Sequence, residues 1–411
     1  PQWRGPHRDG RSPDTGLLES WPEGGPRLVL EAEGLGTGFS SVAVTGGVVY
    51  TLGDLGTAEG REEGQYVFAL DAATGAKRWQ TRVGPTWDDR YPGPRSTPTI
   101  DGDRLFALGT AGDLVCLATA DGRVIWSKNL VRDFGGSLMK AQGTWDWKYA
   151  ESPLVDGDRV VVTPGGTDAF MVALDKGTGR VVWKATLPTL EGPGKPGAGY
   201  SSIVVSEAAG VRQYVQLGGP GLVGIEAATG RFLWAYTRVA NEVANIPTAL
   251  VDGDTVFATS GYGAGAALLR LEKTEDGIAA REVYFLPGET FQNHHGGLIL
   301  DRGTIYTGSG HNKGLPVALD KAAGKLVWGP VRNAGKSSAA IAYADGHLYL
   351  RYQDGLMVLV EATPEGYREK GAFRIPDVRR ESWSHPVISG KRLYLREQDR
   401  LYVYDLAKAP A

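Results

Sequence analysis

The sequence predicts an all-β protein, an eight-bladed β-propeller of four-stranded antiparallel blades. Three observations carry this. A unit of apolar alternating strands and Gly-containing turns recurs along the 411 residues, five copies of it end on Gly-x-x-x-Trp, and eight pairs of leading strands can be counted. Self-similarity at a period of roughly 50 residues marks a repeat fold, in which length does not count domains. A lone four-stranded sheet cannot cover both of its faces, so such sheets stack around an axis until the last meets the first.

Each repeat opens on a short apolar strand and turns at a site such as Asp101-Gly102, Asp156-Gly157 or Asp252-Gly253 into a second strand. Glycine supplies the positive φ that a tight hairpin requires. A polar loop leads to the third strand, and a second Gly turn leads to the fourth. That turn and its tryptophan read Asp71-Thr74-Gly75-Trp79, Asp121-Gly122-Trp126, Asp175-Thr178-Gly179-Trp183, Glu226-Thr229-Gly230-Trp234 and Asp320-Gly324-Trp328. The indole has an apolar face wide enough to cover the gap to the next blade, and an N–H that seeks a carbonyl. The doubled interval between Trp234 and Trp328 hides one repeat without the tryptophan, 249–286, whose fourth strand is Arg281-Glu282-Val283-Tyr284-Phe285.

The eight units open near Val42, Pro98, Pro153, Ile203, Ala249, Leu298, Ala340 and Pro386. The last, Pro386 to Leu406, holds only three strands. The run Arg27 to Ala32 precedes the first unit and has nothing else to pair with. It is expected to close the last blade, with Leu30 at the tryptophan position, which removes an exposed sheet edge. Residues 1–411 then form one propeller.

Composition narrows the partners. The formal net charge is -3 and no long basic run appears, which excludes nucleic acid or an anionic membrane as the main partner. The 59 glycines exceed the usual ~7% and fall at turns between apolar runs. Cys116 is the single cysteine, so no intrachain disulfide forms, and its place in Leu114-Val115-Cys116-Leu117 predicts a core residue. No run approaches the roughly 20 apolar residues of a transmembrane helix. The chain opens on Pro1 rather than methionine, which fits removal of a secretory signal.

The motif Ala-x-Asp-x-x-Thr-Gly-x-x-x-Trp, present as Ala69-Leu70-Asp71 through Trp79 and as Ala173-Leu174-Asp175 through Trp183, resembles the pyrroloquinoline-quinone-like propeller repeat family. Trp3-Arg4-Gly5-Pro6 followed by Asp9-Gly10 looks like a secreted bacterial branch of it, so a periplasmic or secreted protein is expected. The resemblance covers nearly the whole chain. It implies two kinds of protein. One is the quinoprotein dehydrogenase, which holds pyrroloquinoline quinone and a calcium ion in the central funnel. The other is the propeller subunit of the outer-membrane barrel-assembly machinery, which binds proteins and catalyses nothing. With one cysteine, this chain lacks the adjacent-cysteine disulfide that many of those dehydrogenases place over the quinone, and no Cys-x-x-Cys-His is present.

In a propeller the segments leading into the innermost strands gather at one end with the loops between second and third strands, where ligands usually bind. Each of these segments carries a small residue in most blades, and the residues just before it differ from blade to blade. They are Arg95, Glu151, Tyr200, Asn245, His294, His295, Lys336, Trp383 and His385. This set suits a polar or anionic small molecule. His294, His295, His385 and Glu151 are the acid–base candidates. Arg95, Asn245, Lys336, Trp383 and Tyr200 are the cofactor contacts. His294 and His311, the latter in Gly310-His311-Asn312, are the metal candidates, although adjacent His294 and His295 point to opposite sides of an extended strand. The long connections 84–94, with Trp87 and Tyr91, and 131–150, with Trp145, Trp147 and Tyr149, frame this end as binding loops.

Three functions remain open. The first is small-molecule binding, as a quinoprotein-like oxidoreductase on alcohols or sugars. The second is a non-catalytic protein-binding scaffold. The third is a carbohydrate-active hydrolase or lyase using Glu151 with a histidine.

Overall fold

The computed structural model describes residues 1–56, 62–141, 143–275 and 277–408. Their strands form eight four-stranded antiparallel sheets, and the chain is an all-β eight-bladed propeller. The leading strands begin at Ala43, Thr99, Leu154, Val204, Leu250, Ile299, Ala339 and Val387, each one residue from the start read in the sequence.

One irregularity recurs in every blade and explains the tryptophan spacing. The outer strand carries a one-residue bulge, in most blades just after its turn. It skips Arg78 and sets Trp79 opposite Ala69. The same register places Trp126 opposite Cys116, Trp183 opposite Ala173, Trp234 opposite Gly224 and Trp328 opposite Ala318. A bulge sharpens local twist and re-aims the side chain beyond it. In the blade without a tryptophan, Tyr284 takes this register opposite Leu268. In the last blade it is Leu30, opposite Val403.

The chain divides into two compact units, residues 1–98, 120–122 and 295–411, and residues 99–119 and 123–294. In the first unit, Leu28–Ala32 pairs antiparallel with Arg400–Asp405, so the two chain ends build the eighth blade together. Leu30 packs with Val49, Phe68, Tyr394 and Val403 in a buried cluster. Trp328 donates its indole N–H to the Thr363 carbonyl at 2.8 Å.

The N-terminal segment laces this unit. Arg11 bonds Asp301 at 2.9 Å, with its guanidinium 4.0 Å from the Tyr343 ring centre. Ser12 N–H donates to the Tyr343 carbonyl, and Leu18 N–H to the Leu406 carbonyl, both at 2.8 Å. Trp21 then completes the seventh blade. There the tryptophan register falls on Gly371, opposite Leu359. Trp21 lies beside it, buried, with Tyr349 at 5.8 Å and Phe373 at 5.1 Å between ring centres.

In the second unit, Trp126 and Trp183 donate indole N–H bonds to the carbonyls of Lys176 at 3.0 Å and Ala227 at 3.1 Å. Their rings lie on Gly179 and Gly230, where an added Cβ would come within 2.8 and 2.6 Å of the indole. These turn glycines are therefore required twice, for a positive φ and for the absence of a Cβ. Cys116 is buried and free among Phe106, Leu114 and Leu174. The connection after Asn129 starts with a short helix, Leu130–Phe134, capped by the Asn129 side chain and ended by Gly135 at φ 64°.

Candidate functional site

In the first unit the structure brings Arg95, His295 and Trp383 together. Trp383 is half-buried, with ring centres of Phe39 at 4.6 Å, Tyr91 at 5.0 Å and His295 at 5.6 Å. Its indole N–H donates to Gln353 Oε1 at 3.0 Å. Arg95 holds the connection 84–94 in place. It donates to the carbonyls of Gly93 at 3.1 Å and Tyr91 at 2.9 Å, and its guanidinium lies 4.6 Å from the Trp87 ring centre and 5.2 Å from that of Phe39. The result is a pre-ordered aromatic surface fixed around one cation. Lys336 is exposed, and Ser337 beside it is left-handed at φ 63°.

His295, His311 and His385 of this unit are partly buried. Arg4 Nη1 donates to His385 Nδ1 at 3.4 Å, so Nε2 carries the ring proton and donates to the His295 carbonyl at 3.2 Å. Burial, then the Arg4 charge, holds the His385 pKa down to about 3. Burial, then His385 and His311, holds His295 down to about 3, and burial lowers His311. These imidazoles are neutral at ordinary pH. The Trp3 ring meets His385 edge-on at 5.4 Å. Arg4 is half-buried in a socket of carbonyls from Leu298, Ile341 and Asp9, and the desolvation there pushes its own pKa down to about 10.

Two further arginines act as internal braces. Arg351, 0% exposed, donates to the carbonyls of Ser384 at 2.9 Å and Arg396 at 2.7 Å and to Glu397 Oε2 at 2.7 Å. Arg396, 1% exposed, engages all five of its donors. They meet the carbonyls of Gln398, Leu52, Leu35 and Gly36 and the hydroxyl of Thr51. The positive charge at these two strand ends thus lies inside the protein.

In the second unit Glu151 is 3% exposed and bound to Thr163 N–H, to Thr163 Oγ1 at 3.0 Å and to Gln216 Nε2 at 3.1 Å. Asn245, 0% exposed, donates to the carbonyls of Gly218 at 3.1 Å and Gly219 at 3.0 Å and accepts from Asn241 N–H at 2.9 Å. Tyr200 donates to the Met139 carbonyl at 3.1 Å and accepts from Trp147 N–H at 3.2 Å. Its ring meets Trp147 at 5.6 Å, and Trp147 meets Trp145 at 4.1 Å. His294 lies edge-on to Tyr262 at 5.4 Å, with Nε2 3.4 Å from the hydroxyl.

Quinone and calcium, which the family resemblance implies, require carboxylate and amide oxygens turned to a metal and cations left over for quinone oxygens. Here Glu151 and Asn245 are engaged by neighbouring strands, and Arg95 donates to two main-chain carbonyls. Among the described residues no group of three His, Cys, Asp or Glu side chains is placed to hold a metal ion. As they are held, these residues do not fit the group. Sequence reading missed the roles of Arg4 and Trp21. Most of their partners lie about 300 residues away or more, as the 337-residue separation of Arg4 and Ile341 shows, and no local spacing signals them.

The sequence matches the family described as outer membrane protein assembly factor BamB over residues 63–330. No curated protein matches the chain. The structure is similar to BamB from Moraxella catarrhalis at 14% identity and a TM-score of 0.63, covering 94% of this chain and 99% of that one. It is similar to a europium-containing methanol dehydrogenase at 12% identity and a TM-score of 0.67, covering 98% of each. It is also similar to the quinohemoprotein alcohol dehydrogenase of Comamonas testosteroni at 13% identity and a TM-score of 0.65, covering 98% of this chain and 80% of that one. At these identities the likeness shows the shared fold.

Proposed function

This chain belongs to the propeller family described as outer membrane protein assembly factor BamB, and on that premise we propose that it is a non-catalytic scaffold that binds polypeptide partners in outer-membrane protein assembly, working in the periplasm. One observation carries the reading. The side chains that a dehydrogenase or a hydrolase would use, Glu151 and His385 above all, are held by internal partners. Beside the exposed Lys336, the half-exposed groups include aromatic rings. Trp383 and Tyr91, locked by Arg95, have the rigid amphipathic character of interface anchors.

The test has two arms. The first titrates pure protein with pyrroloquinoline quinone and calcium. The scaffold reading expects no heat of binding and no dye-linked oxidation of alcohols or sugars; quinone-dependent turnover overturns it. The second measures binding of an outer-membrane barrel protein diluted from urea. Trp383→Ala with Tyr91→Ala should weaken it about tenfold, and Glu151→Gln should leave it unchanged.

A further inference from the structure

We propose that a charged concavity of the first unit is a binding site for a single carboxylate group. The concavity opens to solvent and is lined by Thr37, Asp377, Arg379, Arg380, Gln398 and Asp399, with Glu397 and Arg400 completing it. It lies between the loop that leads into the eighth blade and the turn joining that blade's inner strands, Arg392–Glu397 and Arg400–Asp405.

The lining has as many acids as arginines, so net charge alone does not say what it takes. The hydrogen bonds do. Each acid is already engaged. Asp377 Oδ2 accepts from Arg379 at 2.6 Å and lies 3.6 Å from Arg400 Nε. Asp399 accepts from Gly36 N–H at 2.7 Å and Gly34 N–H at 3.2 Å. Glu397, 3% exposed, is held by Arg351 and Ser382. Arg400 donates to Glu31 through Nη1.

The donors are not all taken. Arg380 is exposed and enters no ion pair or hydrogen bond among the described residues. Gln398 accepts from Gly38 N–H at 3.2 Å through Oε1, which leaves its amide NH₂ as a donor. A guanidinium beside an amide donor, with the local acids occupied, calls for an acceptor that bears one negative charge. A phosphate dianion suits it less, because Asp377 and Asp399 flank the donors. The site goes beyond the scaffold reading and does not depend on it, since a catalytic propeller would carry the same donors.

Calorimetry on the full chain with N-acetyl-glutamate α-amide, and with the uncharged N-acetyl-glutamine α-amide, tests the charge requirement. Saturable binding of the glutamate probe alone is expected. Arg380→Gln should weaken it at least tenfold. Gln398→Glu keeps the acceptor for Gly38 but replaces the donor with a carboxylate, and should also weaken it at least tenfold. Arg380 is exposed, so Arg380→Gln should melt with the wild-type protein and carries the test by itself if Gln398→Glu, a new charge at a buried position beside three acids, does not fold. Competition by acetate assigns the site to free small acids; indifference to acetate assigns it to acidic side chains of a polypeptide. The proposal is overturned if both probes bind alike, if neither binds, if inorganic phosphate binds more tightly than the glutamate probe, or if both variants bind as wild type.

Discussion

Trp21 stands beside Gly371: a Cβ on that glycine would come within 2.7 Å of the Trp21 Cβ, and the Trp21 N–H donates to the Lys370 carbonyl at 2.8 Å. The seventh blade thus borrows, from 350 positions upstream, the aromatic ring that other blades carry in their own fourth strand. Trp21→Ala should cost about 3–5 kcal/mol of stability, as large core truncations do. Gly371→Ala should destabilise as well, because the residue sits at φ 138° and its new methyl meets Trp21. Urea unfolding of both single variants and the double variant measures this. The Gly371→Ala loss should persist in the double variant, since its new methyl meets the Cβ and main chain of residue 21, which Trp21→Ala keeps.

The eighth blade depends on Leu28–Ala32 in the same way. Leu30→Asp places a carboxylate among Val49, Phe68 and Val403. It should unfold the blade or lower its midpoint strongly, and deletion of 27–32 should expose the Arg400–Asp405 edge to aggregation. Limited proteolysis and light scattering read the two effects.

Arg396→Met tests the brace. It leaves four carbonyls and the Thr51 hydroxyl without their donor in the interior, and the expected cost is above about 3 kcal/mol. Arg396→Lys should not restore it, because three rotatable donors cannot replace a planar fork of five. Chemical denaturation separates this from a mere loss of surface charge, which would be near neutral.

His295 and His385 set the acid limit. Both are held down to about 3 in the folded protein. Unfolded histidine takes a proton near pH 6.5. Above that pH both states are neutral and the two residues contribute no slope. Below it the unfolded state binds more protons, so stability falls by about 1.4 kcal/mol per pH unit for each histidine until the folded pKa is reached. A urea series from pH 8 to pH 4 should show this fall, and His385→Gln should make it shallower.

Much of the fold was legible because its rules are local. Asp101-Gly102 and Gly179-x-x-x-Trp183 carry their conformational reasons within a few residues, and the lone strand at Leu28–Ala32 had one possible vacancy to fill. The site was less legible. Residues that vary from blade to blade before each leading strand read as recognition, yet variation also arises when each seam between strands leaves different main-chain groups to satisfy. Asn245 answers carbonyls at Gly218 and Gly219, whereas Glu151 answers an N–H at Thr163. Sequence spacing cannot distinguish a side chain that serves a ligand from one that serves its own backbone. Arg95, His295 and Trp383 were the ones brought together, and Arg380 and Gln398 carried no periodic signal at all.

The shared eighth blade also fixes an order of events during synthesis. Leu30 leaves the ribosome long before Val403 exists, so a strand with apolar residues must stay unpaired while 370 further residues are made. Contacts this distant in sequence form slowly. Closure of the eighth blade therefore waits for Arg400–Asp405, and a holding factor that shields Leu28–Ala32 and Trp21 in the meantime should raise the yield of native protein.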